Sequence, residues 1–156
     1  MIQMNRTIPM LAFLVFMNAS SSANLDTPVE PPKPTVRSEI YRGTTSVFGC
    51  AMKAGVNWYA ISQCGHRARD DNIQKNNATD PFLLGVYLQT WADSHIAAIG
   101  TKDPSAQRSA RGWLDLLTRQ QQKIGLSDSD MCSAAKMTCN VLSRMLEEAA
   151  ASYAEF

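Results

Sequence analysis

Several things are scarce or missing in this chain of 156 residues. It has no excess of either charge, with 15 Lys+Arg against 14 Asp+Glu. That balance excludes a strongly basic nucleic-acid binder and an acidic tail protein, because both work through a one-signed field. There are only two histidines, His66 and His95. No C-x-x-C pair and no C-x-x-C-H occur, so the usual zinc, redox and c-type haem patterns are missing. No G-x-S-x-G elbow and no glycine-rich phosphate loop are found either. No run of alternating β-branched residues suggests a strand. The longest apolar run, Ile8 to Met17, has 10 residues, whereas a membrane-spanning helix needs about 20. Against these absences stand 45% hydrophobic and 19% charged residues, a composition that folds.

The apolar run reads as part of an address. Arg6 precedes it, and Ser21-Ser22-Ala23 follows with the small residues that a signal peptidase recognises. The expectation is a signal peptide over residues 1–23, cut before Asn24. Removal of those 23 residues leaves 133, and the loss of Arg6 leaves 14 cationic against 14 acidic residues. The expected location is outside the cytoplasm, with the periplasm favoured over the extracellular medium. In a eukaryotic secretory route, Asn77-Ala78-Thr79 would form a glycosylation sequon. Four of the seven prolines fall in Thr27–Val36. Residues 24–43 are therefore expected to be an extended spacer ahead of one helical domain over 44–156.

Within that domain the punctuation predicts four helices. The first is expected over Thr45–Asp70, followed by a polar loop over Asp71–Thr79. Asp80-Pro81 and Asp103-Pro104 combine a capping carboxylate with a proline at the first helical position. Gly100 and Gly125 stand where the second and third helices should end. Ser127 to Asp130 supply caps and negative charge for the last helix. Leu84, Leu88, Trp91, His95 and Ile99 recur every three or four residues, as do Ala106, Ala110, Trp113 and Leu117. Such stripes mark amphipathic helices. The predicted fold is all-α, a small antiparallel four-helix bundle, with Trp58, Trp91 and Trp113 at similar heights. The pair Gly49 and Gly55 suggests a place of close helix packing.

The four cysteines, Cys50, Cys64, Cys132 and Cys139, suit disulfides in an oxidising compartment. If each pair sat on one straight helix, the sulfurs' backbones would be about 21 Å and about 10 Å apart. Disulfide Cα atoms lie within about 7 Å, so neither pair could close locally on that assumption. The expectation is then two bridges between the first and last helices, Cys50 with Cys139 and Cys64 with Cys132. Met131, Cys132, Met137 and Cys139 also resemble a soft copper(I) set, but methionines at helical spacing are more often core filler. No metal or cofactor is expected.

No nucleophile with a base, and no pair of carboxylates in an apolar context, comes forward, so an enzyme is not expected. The expected function is protein–protein interaction, as an inhibitor, an immunity protein or an accessory factor of an envelope or secretion system. The long polar connection supplies the candidate partner-binding residues Arg67, Arg69, Asp70, Asp71 and Lys75. The alternative is a carrier of haem, copper or a small apolar molecule inside the bundle, in a pocket formed by Trp58, Trp91, His95 and Trp113.

Overall fold

The computed structural model describes residues 28–153. The expected signal peptide and its cleavage site lie outside these residues. Pro28 to Lys33 are exposed and without regular structure. The body beyond them is all-α among the described residues, with six helices in place of four. They are α1 (Val36–Ala54), α2 (Trp58–Gln74), α3 (Asp80–Thr101), α4 (Pro104–Ile124), α5 (Asp128–Ala134) and α6 (Cys139–Ser152).

The two extra helices come from breaks inside the predicted first and last ones. Gly55 takes a positive φ of 60° and ends α1, and the Asn57 side chain then caps α2 by accepting from the Ala60 N–H. Only glycine adopts that conformation without strain, so Gly55 is a helix terminator rather than a packing residue. A Cβ on Gly49, its expected packing companion, would meet nothing within 4 Å. In the last segment Lys136 turns left-handed at φ 57°, which separates α5 from α6.

The other boundaries also move. Helix α1 begins at Val36, eight residues before the expected domain start. Thr35 and Ser38 form a reciprocal capping box there, which outweighs the extended preference of the prolines upstream. The predicted loop over Asp71–Thr79 is helical as far as Gln74. Thr79, not Asp80, caps α3, and α3 runs past Gly100 to Thr101, with Lys102 taking the left-handed exit. The Asp103 cap of α4 and the Gly125 exit agree with expectation.

Helix α3 is the centre of the molecule and packs on α1, α2, α4 and α6. Every residue from Leu84 to Ala92 is buried, which a one-sided stripe does not provide. An apolar surface on all sides makes a central helix. The architecture is therefore a core helix wrapped by others, not a ring of four equals. Where α1 crosses α3 the backbones nearly touch at Gly43 and Gly85. Gly65 of α2 instead makes room for the side chains of Thr90 and Trp113. Beside the crossing, the buried Glu39 carboxylate accepts two bonds from Arg42, at 2.8 and 3.2 Å, and one from Thr79 at 2.9 Å. Arg42 also donates to the Asn77 carbonyl at 2.5 Å and lies over the Phe82 ring. This set ties α1 to the start of α3.

The disulfides join Cys50 to Cys64 and Cys132 to Cys139, with Cα separations of 5.8 and 5.4 Å. The expected links from first to last helix are thereby corrected. The assumption of straight helices fails, because each pair straddles a break and its two cysteines stand on different helices. Closing loops of this size contributes about 3 and about 2.5 kcal/mol by chain-entropy reasoning.

Candidate functional site

The expected pocket residues are not assembled around one cavity. Trp91 and His95 are fully buried in α3, with ring centroids 5.4 Å apart. Trp113 of α4 packs on His66 and Tyr87 and donates its indole N–H to the Ser62 hydroxyl at 3.2 Å. Trp58 is half-buried at the start of α2 and stacks edge-on with Tyr59. Each ring thus has its own surroundings, because the antiparallel register expected from a four-helix bundle does not apply.

His95 is occupied on both sides. Its Nδ1 lies 2.6 Å from the Tyr153 hydroxyl and its Nε2 lies 3.4 Å from a Glu148 carboxylate oxygen. The Glu148 carboxylate can only accept, so the tautomer with Nε2–H satisfies it and leaves Nδ1 to accept from the Tyr153 hydroxyl, which burial pushes up to about 12. The Trp91 indole N–H approaches the same hydroxyl without reaching hydrogen-bond geometry. The cluster binds the end of α6 to α3, and its nitrogens are not free to ligate an ion. Among the described residues no group of three or more His, Cys, Asp or Glu could hold a metal.

The expected partner-binding residues sit on α2 and its cap, not on a loop. Arg67, Asp71 and Lys75 share one side of it and line a shallow surface depression with Cys50, Cys64 and Asn72. Their spacing of four residues accounts for the common face. Arg69 is separate: it pairs with Asp70 at 2.8 Å and interacts with Tyr87.

Two surface features were not foreseen. Phe48, Met52, Val56 and Tyr59 are 50%, 67%, 61% and 60% exposed; the first two lie in the last turns of α1, Val56 in the α1–α2 turn and Tyr59 at the start of α2. Phe48 and Met52 stand one helical turn apart on one face of α1, and Cys50, two residues from each, projects from the opposite side. Their four-residue spacing is the signal of this face in the sequence. The second feature is a groove of about 230 Å³ between α3 and α6. Gln89, Asp93 and Ile96 line one side, and Met137, Thr138, Val141 and Met145 the other. Gln89 donates to the Asp93 carboxylate at 2.8 Å. Burial holds the Asp93 carboxyl above its ordinary value of 3.8.

No helix among the described residues is long and apolar enough to cross a membrane. Comparison with known protein families, with characterised proteins and with solved structures finds no match.

Proposed function

We propose that this is an exported helical protein that acts by binding another protein, in the role of an inhibitor, immunity protein or envelope accessory factor. The observation that carries this reading is the apolar tip formed by Phe48, Met52, Val56 and Tyr59. Single exposed apolar residues are ordinary on a protein surface, but four within twelve positions are a local concentration, and exposed apolar surface of that kind favours contact with a partner. The Cys50–Cys64 bridge fastens together the two helices that carry these residues, so little ordering entropy opposes docking. Export accords with two disulfides and with the leader-like residues 1–23.

The test uses the full chain expressed in a Gram-negative host with a photo-crosslinking amino acid at position 52, and in parallel at the exposed position 119 of α4. A discrete crosslinked species from position 52 alone, lost with Phe48→Asp, is the expected result. Equal labelling from both positions, or none, sinks the reading. Cell fractionation and N-terminal sequencing address export: the expected product is periplasmic and starts at Asn24.

A further inference from the structure

The groove between α3 and α6 differs from the tip in carrying a carboxylate within an apolar lining. Asp93 is half-buried, and its one hydrogen-bond partner among the described residues is the neutral amide of Gln89. No cation pairs with it among those residues. Arg144, on the outer side of α6, lines an adjoining depression and makes no ion pair with it. A desolvated carboxylate without a counter-charge is costly, and a cation brought by a ligand would offset that cost.

The remaining polar groups are acceptors as well. The Gln89 N–H₂ is directed to Asp93, so its carbonyl oxygen is free to accept. Thr138, the residue that precedes α6, forms no capping bond with its hydroxyl. Three oxygen-bearing side chains therefore line the groove, whereas an ammonium carries three donors and no acceptor. The rest of the lining is apolar and adaptable, with Ile96 57% and Val141 43% exposed and two flexible methionines, Met137 and Met145. The Cys132–Cys139 bridge encloses Met137 and Thr138 in a short loop and keeps that wall in position.

We propose that this groove is a binding site for a small primary alkylammonium, with the ammonium held by Asp93, Gln89 and Thr138 and the alkyl body laid along Ile96, Met137 and Val141. The site is independent of the α1–α2 tip and does not require a protein partner.

The experiment is calorimetric titration of the full chain with hexylammonium, and in parallel with hexanol and hexanoate, which keep the alkyl body and change the head. Saturable one-to-one binding of hexylammonium is expected, weakened about tenfold or more with either control and with Asp93→Asn. Asp115→Asn, an exposed carboxylate on α4, should leave binding unchanged. Val141→Trp, at the exposed rim, should block the groove and abolish binding without touching Asp93. Absence of saturable hexylammonium binding, equal binding of hexanol, or full binding by either Asp93→Asn or Val141→Trp would overturn the proposal.

Discussion

The Tyr153 hydroxyl lies 2.6 Å from Nδ1 of His95, and both groups are buried. The two residues are 58 positions apart, so this bond closes the end of the chain onto the central helix. Tyr153→Phe leaves a buried imidazole nitrogen without its partner. The expected loss is about 1–3 kcal/mol of unfolding free energy. Urea unfolding checks it; an unchanged midpoint would show that the bond contributes nothing.

Gly43 and Gly85 make a reciprocal contact. A Cβ on Gly43 would lie 2.0 Å from the Phe82 carbonyl oxygen, and one on Gly85 would lie 2.0 Å from that of Ile40. Neither obstacle is a movable side chain, so α1 and α3 would have to separate. Gly43→Ala and Gly85→Ala are each expected to cost about 3 kcal/mol or more, at or above the top of the usual overpacking range. Gly49 has open space around it, and Gly49→Ala should stabilise α1 by roughly 0.5–1 kcal/mol. Thermal denaturation of the three variants should separate them by sign.

Disulfide mapping discriminates the local bridges from the long-range ones. Non-reducing peptide mapping is expected to recover Cys50 with Cys64 and Cys132 with Cys139. Removing Cys50 and Cys64 together as alanines should cost about 3 kcal/mol, as expected for a loop of that length. A peptide joining Cys50 to Cys139 would contradict the fold described.

Two carboxylates should respond to pH in opposite ways. Hydrogen bonds from Arg42 hold Glu39 below its ordinary value of 4.5, against the opposing effect of burial. Its stabilisation is complete above the unfolded value and is lost as pH falls through the lower folded one. Glu39→Gln should therefore flatten the loss of stability below pH 4.5. Asp93 is shifted upward, so its ionisation lowers stability as pH rises through the folded value. Asp93→Asn should raise the thermal midpoint at pH 7, and the gain should vanish below pH 3.8. Melting curves across this range test both signs. A loss of stability at pH 7 with Asp93→Asn would mean that the carboxylate is structurally required.

Much of the fold is legible in the sequence, for local reasons. The helical class followed from apolar spacing, and the start of α4 and the exit at Gly125 followed from caps that act within a few residues. The four cysteines indicated disulfides through chemistry and compartment. Gly55 was visible as a glycine, but whether it packed or broke a helix was not, since both uses need the missing side chain. That one ambiguity moved Cys50 and Cys64 from one imagined helix onto two real ones, and with them the whole disulfide pattern.

Residue types and short spacings were enough to establish the all-α class, most helix centres and the presence of bridges, because hydrophobic periodicity and capping are contacts between near neighbours in the chain. Which helix lies at the centre, which glycines admit a second backbone, and which carboxylate lacks a cation depend on groups far apart in sequence. Gly43 and Gly85 are 42 positions apart, and Asp93 faces α6 across a groove whose opposite wall begins at Met137. Such relationships arise when the middle of α3 is buried on every side, and packing in three dimensions sets them.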